Sequence, residues 1–296
     1  MTRLQRPGLR LYFENHPAQE GGGPRLFDAA LLVHGWACAS SDWAPLIDRL
    51  TPYGRVVTAD LRGCGRSGTS DDGYLLADLA GDMAALLDHL GIERALLIGH
   101  SAGTEVAATL AARRPDRVTG LVCVDPSYGV GEDGRARIED VARQLAGPGA
   151  NDVIADYFAR LDDAPGTSPE LAAAHRESAL HARPDVACAM YRRIAFGPGS
   201  FHFRPATDRF LAGLTCPVLA FYRNDERAVA GRAFMTRPDD GLHVYAGAGH
   251  WLHQEQPDRF TDDLTAWLTR TAGPHTTTGG PARPRRANGE AGTESP

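Results

Sequence analysis

A serine stands between two glycines in the segment 99–103 (GHSAG), directly after the apolar run 95–98 (ALLI). A G-x-S-x-G pattern between a strand and a helix is typical of a nucleophile elbow, a tight turn that exposes the serine hydroxyl. The glycines leave the room that a strained turn needs, and the N-terminus of the next helix favours negative charge that develops beside it. The pattern therefore predicts Ser101 as a nucleophile.

A serine hydroxyl is a weak nucleophile, so this chemistry also needs a base. The best candidate is His250, which follows the last predicted strand in the glycine-containing loop 246–249 (AGAG). The loop would let the imidazole reach the edge of a sheet. His253 is the main alternative, but it lacks the Gly-x-Gly lead-in, and we expect it in or near a following turn.

The elements that must position these residues alternate along the chain. Strands are predicted at 9–14, 29–33, 55–59, 95–98, 118–124, 218–222 and 242–245, and helices at 43–50, 75–90, 105–113 and 257–271. Such alternation implies an α/β fold with a mostly parallel central sheet that is covered on both faces. Residues 127–213 interrupt it with a largely helical stretch, in which Ser168-Pro169 is a good helix start.

Composition restricts the function classes. The chain has 296 residues, 43% hydrophobic and 23% charged, which suits a large globular core. A net charge of −6 argues against binding to nucleic acid or anionic membranes. No secretory signal and no membrane helix are expected from the sequence, and five cysteines without C-x-x-C pairing indicate reduced thiols in a cytoplasmic protein. The polar segment 272–296 is predicted to be a disordered tail.

Four motifs in order resemble the α/β-hydrolase superfamily, serine-nucleophile branch. They are an HG turn (His34-Gly35), the segment 60–67 (DLRGCGRS), the elbow, and the Gly-x-Gly-His at 247–250. The resemblance covers roughly residues 9–271. It implies a hydrolase core formed by 1–126 and 214–271, with 127–213 inserted as a helical cap after the strand that follows the elbow. It also implies that His34 and His100 stabilise turns rather than react.

The triad acid has two candidate positions. In most superfamily members it follows the penultimate core strand in a G-x-x-D turn, but the segment 222–227 (YRNDER) lacks that glycine and offers Asp225 or Glu226. Asp125 instead ends the strand after the elbow, at the carboxyl edge where such sites lie, and some members carry their acid there. We favour Asp125. Either acid would orient His250 and stabilise its imidazolium form.

The resemblance also predicts an oxyanion hole made of two backbone N–H groups. One belongs to Ala102, after the nucleophile, and the other to Trp36, in the loop after the second predicted strand of the core. The cap would exclude water and shape the pocket. Its wall could include seven large side chains: Tyr128, Tyr157, Phe158, Met190, Tyr191, Phe196 and Phe201.

These residues together predict a serine hydrolase that cleaves a small ester or lactone through an acyl-enzyme. Ser101 stands where the related haloalkane dehalogenases and epoxide hydrolases place an aspartate, which argues against those two reactions. The alternatives are cofactor-free general-base chemistry on the same fold (an oxygenase, lyase, cyclase or C–C bond hydrolase) and a non-catalytic ligand receptor. No cofactor and no metal are expected. The expected partner is a small-molecule substrate, and the oligomeric state stays open.

Overall fold

The structure, a computed structural model, describes residues 2–162 and 164–271. It contains one eight-stranded sheet. The strands are β1 (Arg3–Arg6), β2 (Leu9–His16), β3 (Ala29–Val33), β4 (Arg55–Ala59), β5 (Ala95–His100), β6 (Val118–Val124), β7 (Val218–Tyr222) and β8 (Gly241–Val244). Their order is β1-β2-β4-β3-β5-β6-β7-β8. The β1–β2 and β2–β4 pairs are antiparallel, and all other pairs are parallel, as the alternation predicts.

Helices flank this sheet and fill the long insertion. They are α1 (Ala44–Leu50), α2 (Leu76–His89), α3 (Ala102–Arg113), α4 (Glu132–Gln144), α5 (Ala150–Leu161), α6 (Pro169–His181), α7 (Pro184–Phe196), α8 (Ala206–Ala212), α9 (Asp225–Arg232), α10 (Leu252–Glu255) and α11 (Pro257–Thr271). Helices α4–α8 lie between β6 and β7 in the chain. No helix in the described ranges is long and apolar enough to cross a membrane.

The central strands are buried on both faces because their apolar side chains alternate between two cores. Leu31 and Val33 of β3 belong to the core that includes α2 and α3. Ala30 and Leu32 of the same strand belong to the other core, which α1 and α11 cover. Continuous apolar runs such as β3 are therefore two-sided strands of a parallel sheet.

Several boundaries differ from the sequence prediction. The first helix starts at Ala44 because Ser40–Trp43 form a 3₁₀ turn. Helix α3 starts immediately after Ser101 rather than at Glu105. Strand β1 and helices α9 and α10 were not predicted, since each is short and lacks a clear period. The predicted disordered tail, 272–296, lies outside the described residues.

The glycine-rich segment after β4 forms a loop that is held by hydrogen bonds to Asp60. Asp60 is fully buried, and its carboxylate accepts hydrogen bonds from the backbone N–H groups of Ser40 and Arg66, both at 2.7 Å. The Ser67 hydroxyl donates to the Asp60 carbonyl oxygen at 2.7 Å. Gly65 has a φ of +49°, and a Cβ there would overlap the Asp60 carboxylate. The motif thus closes a loop at the carboxyl edge of the sheet.

Hydrogen bonds shape the inserted helices and join them to the loop after β3. Ser168 caps α6, because its hydroxyl accepts a hydrogen bond from the Leu171 N–H at 3.2 Å, as the sequence predicts. The Trp36 indole N–H, from the loop after β3, donates to the Ala187 carbonyl oxygen of α7 at 2.8 Å. One contact therefore joins the loop beside Ser101 to the inserted helices.

Two helical glycines give opposite predictions for stability. A Cβ at Gly103 would overlap the carbonyl oxygens of Val33 and His34, whereas a Cβ at Gly81 of α2 meets no atom within 4 Å. Gly103→Ala should lower the free energy of unfolding by about 1–3 kcal/mol through overpacking. Gly81→Ala should raise it by about 0.5–1 kcal/mol, because alanine is the better helix former. Urea unfolding of both variants checks this pair, and equal effects would contradict it.

Candidate active site

Ser101 sits in a strained turn at the end of β5. Its φ of 51° and ψ of −121° are unusual for a residue with a side chain. The turn is held because the Ser101 N–H donates to the Val124 carbonyl oxygen of β6 at 2.9 Å. A Cβ at Gly99 would lie 2.5 Å from the Gly103 oxygen, so the two glycines allow β5 and α3 to meet. The Ser101 side chain is half-buried and lines a cavity.

Asp125 and His250 are in direct contact. Asp125 directly follows β6, the neighbour of β5, so it reaches the same sheet edge as Ser101. The His250 Nδ1 lies 2.5 Å from an Asp125 carboxylate oxygen, and both side chains are buried. With its proton on Nδ1, the imidazole keeps Nε2 free as an acceptor. The structure thus brings together the base and the acid that the sequence analysis favours.

Two arginines surround the Asp125 carboxylate. The Arg227 Nε donates to it at 3.2 Å, and the Arg223 Nε lies 3.5 Å from its other oxygen. Burial disfavours the charged carboxylate, but Arg227, the His250 contact and Arg223 outweigh burial and hold the pKa of Asp125 well below its usual range. Neither arginine was predicted from the sequence to be part of the site. Arg223 precedes α9 and Arg227 lies in its first turn, and this four-residue spacing is the signal that could have indicated a shared partner.

The His250 imidazole has a lowered pKa. Burial is the main cause, because it penalises the charged ring, while the Asp125 carboxylate acts in the opposite direction without cancelling it. Arg223 and Arg227 add to the lowering. The neutral imidazole, which is the form that can accept a proton, is therefore favoured.

The loop that carries His250 is fixed on three sides. The His250 N–H donates to the Leu161 carbonyl oxygen at the end of α5, at 3.1 Å. The Gly249 N–H donates to the Glu255 carboxylate at 2.8 Å. The His100 Nε2 lies 3.1 Å from the His250 carbonyl oxygen, so the ring donates to the backbone. The position of His250 therefore depends on α5, α10 and the elbow together.

The other histidines near the site have structural contacts. His34 Nδ1 lies 2.8 Å from the Gly35 carbonyl oxygen, and its Nε2 accepts the Leu61 N–H at 2.9 Å, which joins the HG turn to the segment after β4. His253 lies in the four-residue helix α10, directly after a turn, and it is fully buried between the rings of Trp43 and His100. Burial lowers the pKa of His253 to about 3. It does not line the cavity with Ser101.

The alternative acids point elsewhere. Asp225 is exposed and pairs with Arg232 at 2.7 Å. Glu226 is exposed and lines a surface groove that does not include Ser101 or His250. Both residues lie in the first turn of α9. The structure therefore brings neither of them to His250.

One cavity of about 260 Å³ contains the candidate residues. Ser101, His250, Trp36 and Ala102 all line it, so the predicted donors of the oxyanion hole share the cavity with the predicted nucleophile. Of the seven large side chains predicted for the cap wall, Tyr157 and Tyr191 line it. The remaining five are Tyr128, Phe158, Met190, Phe196 and Phe201, and they do not.

A second histidine–carboxylate cluster, missed by the sequence analysis, borders the same cavity. Glu105, one helical turn after Ser101, is fully buried. Its carboxylate accepts a hydrogen bond from the Ser127 hydroxyl at 2.5 Å and lies 3.2 Å from the His202 Nδ1. Ser127 and His202 line the cavity, whereas Glu105 does not. Within residues 2–162 and 164–271, no group of three or more His, Cys, Asp or Glu side chains is arranged to hold a metal ion.

Comparison with known proteins relates this architecture to a family. The sequence profile of the α/β-hydrolase fold family matches residues 29–257. Among curated proteins, epoxide hydrolase B of Mycobacterium tuberculosis is 37% identical over 143 residues, which are 45% of this chain and 40% of that protein. The first curated relatives are matched over only 30% to 42% of their own length.

Two solved structures cover most of the chain. A thermophilic esterase from Thermogutta terrifontis, with malate bound, is 26% identical with a TM-score of 0.74, over 91% of this chain and 97% of that one. An enol-lactonase from Burkholderia xenovorans is 21% identical with a TM-score of 0.70, over 90% and 99%. The second likeness concerns the fold alone. With the profile matching most of the chain and the elbow at the expected sheet edge, this protein belongs to the α/β-hydrolase fold family.

Proposed function

We propose that this protein is a serine hydrolase that cleaves a small-molecule ester or lactone. The observation that carries the proposal is the buried 2.5 Å contact between His250 Nδ1 and Asp125, because His250 also lines the cavity that Ser101 lines. A base that is oriented by a buried carboxylate is the arrangement that activates a serine hydroxyl. The esterase from Thermogutta terrifontis, similar over almost its whole length, supports an ester substrate.

In the proposed reaction, the neutral His250 Nε2 takes the Ser101 hydroxyl proton as the oxygen bonds to the substrate carbonyl carbon. The C–O bond to the leaving alcohol then breaks, and the imidazolium returns its proton to that alcohol. A water repeats the sequence on the acyl-enzyme and releases the acid. Asp125 keeps its charge throughout, in line with its lowered pKa, and stabilises the imidazolium without taking its proton.

The backbone N–H groups of Ala102 and Trp36 are proposed to bind the oxygen that becomes negative. Ala102 is the first residue of α3, so its N–H is not used by the helix and lies at the positive end of the helix dipole. Trp36 is held by its indole contact with α7 and packs against Tyr191, with ring centroids 5.0 Å apart. This packing gives the loop a fixed backbone position before the substrate arrives.

We further propose that 127–213 act as a cap on a core made of 1–126 and 214–271. Helices α4, α5 and α7 of this stretch supply much of the cavity wall. Leu161, at the end of α5, also anchors the His250 backbone, so cap position and base position are coupled. The five free cysteines suit a reducing compartment, which supports a cytoplasmic enzyme.

The role of Ser101 can be tested with a panel of p-nitrophenyl esters of short and medium acyl chains. Ser101→Ala should abolish hydrolysis, because the acyl-enzyme cannot form, and should also abolish labelling by a fluorophosphonate. Equal retention of circular dichroism would show that the variant is folded. Turnover that survives in the alanine variant would instead favour the alternative of general-base chemistry by the His250–Asp125 pair.

The acid can be identified by comparing three isosteric variants. Asp125→Asn should lower kcat on the order of 10³–10⁴-fold, because the amide no longer stabilises the imidazolium. Asp225→Asn and Glu226→Gln should change kcat less than about twofold, since both side chains are exposed and away from His250. Steady-state kinetics at one pH measure the three values, and a large loss in either control would move the acid to α9.

The pH profile reports on His250. Only the neutral imidazole accepts a proton, so kcat/KM should fall as the pH drops through the His250 pKa. Burial lowers that pKa, so the acid limb of the profile should have its midpoint below the ordinary value of 6.5. Asp125→Asn removes a group that raises the pKa and leaves both arginines, so its residual activity should have a still lower midpoint. A midpoint above 6.5 would contradict the proposed environment.

A further inference from the structure

The side chains that line the catalytic cavity carry positive charge. Four arginines line it, namely Arg137, Arg160, Arg223 and Arg227, and none of its lining residues within the described ranges is an aspartate or glutamate. The whole chain has a net charge of −6, so the cavity has the opposite sign to the protein. An electropositive concave site favours the entry of anions.

These four arginines divide into two pairs. Arg223 and Arg227 face the Asp125 carboxylate, and their charge is partly neutralised there. Arg137 lies on α4 and Arg160 on α5, both exposed. In the described part of the chain, neither makes an ion pair within 4.0 Å. The second pair is therefore available for a ligand.

Tyr191 of α7 lines the same cavity as Arg137 and Arg160. Its hydroxyl is buried and has no hydrogen-bond partner among the residues that the structure describes. Burial and the neighbouring Tyr157 raise the pKa of this hydroxyl, and the charges of Arg137 and Arg160 act against that rise. Arg137, Arg160 and Tyr191 line the same cavity, although they come from three different helices.

The buried carboxylate of Glu105 does not cancel this charge. It is fully buried, does not line the cavity, and already binds the Ser127 hydroxyl and the His202 Nδ1. A ligand in the cavity therefore meets the arginines and the tyrosine hydroxyl rather than the glutamate. The local balance stays positive.

We propose that Arg137, Arg160 and the Tyr191 hydroxyl form a subsite for a carboxylate group of the substrate. The preferred substrate is then an anionic ester or lactone, with its reacting carbonyl at Ser101 and its carboxylate between α4, α5 and α7. Guanidinium groups bind carboxylates through paired N–H donors, and the tyrosine supplies a third. This inference rests on the proposed hydrolase function and adds the charge of the substrate to it.

The test compares two esters whose acyl groups have the same number of non-hydrogen atoms along the chain. Mono-p-nitrophenyl glutarate ends in a carboxylate, and p-nitrophenyl hexanoate ends in an apolar group at the same distance from the carbonyl. The wild-type protein should show a kcat/KM at least about tenfold higher for the glutarate ester. The preference should shrink at high ionic strength, because the arginines are exposed to solvent.

Variants then locate the subsite. Arg137→Gln/Arg160→Gln should raise KM for the glutarate ester about tenfold and leave the hexanoate ester within about twofold. Arg143→Gln is the matched control, since this arginine is exposed on α4 and does not line the cavity. Arg137→Lys/Arg160→Lys keeps the charge but loses the paired donors. Its KM for the glutarate ester should therefore lie between the values of the wild-type protein and of the double glutamine variant. An equal loss for both esters, or the same loss in the control, would overturn the proposal.

A binding measurement separates this inference from the proposed hydrolase function. Glutarate should raise the melting temperature of the Ser101→Ala variant. This increase should vanish when Arg137 and Arg160 are also replaced by glutamine. The uncharged 1,5-pentanediol is the control ligand and should not raise the melting temperature. If the protein hydrolyses the hexanoate ester through Ser101 but shows no preference for the glutarate ester, the carboxylate subsite is rejected and the proposed hydrolase function is retained. Glutarate binding that needs both arginines, with no ester cleaved and Ser101 unlabelled, would reject the hydrolase and keep an anion site.

Discussion

The buried charge of Asp125 is the interaction on which the rest of the site depends. A lone carboxylate without solvent is unstable in its ionised form, so its charge must be compensated by neighbouring groups. Arg227, Arg223 and His250 provide this compensation and come from the segment after β7 and the loop after β8. One carboxylate thus fixes three strand ends relative to one another and gives His250 its tautomer.

The sheet topology makes that convergence possible. Strands β5, β6, β7 and β8 are parallel neighbours, so their carboxyl ends meet at one edge. The turn residues at this edge carry the unusual backbone angles, with positive φ at Ser101 and at Asp125. Such strain persists only where surrounding contacts hold it. Here the hydrogen bonds from Ser101 to β6 and from Asp125 to β7 supply those contacts.

The inserted helices contact both the loop that carries His250 and the loop that carries Trp36. Helix α5 ends at Leu161, whose carbonyl oxygen binds the backbone of His250, and the same helix carries Arg160 and Tyr157 into the cavity. Helix α7 provides both the Ala187 oxygen for Trp36 and the Tyr191 hydroxyl. A movement of these helices would therefore change the cavity wall, the loop that carries Trp36 and the position of His250 together.

The sequence by itself determined the elements that have a strong hydrophobic pattern and clear start and stop residues. Strands β3, β4, β6 and β7 and helix α11 have the predicted bounds. The elbow follows from two glycines around one serine. It also determined the family, because four short motifs in fixed order reflect local turn geometry. Only the tertiary structure decided that Asp125 rather than Asp225 or Glu226 contacts His250, and that Arg223 and Arg227 face inward. The reason is physical: local patterns encode backbone turns, whereas partners distant in sequence are chosen by strand order and burial.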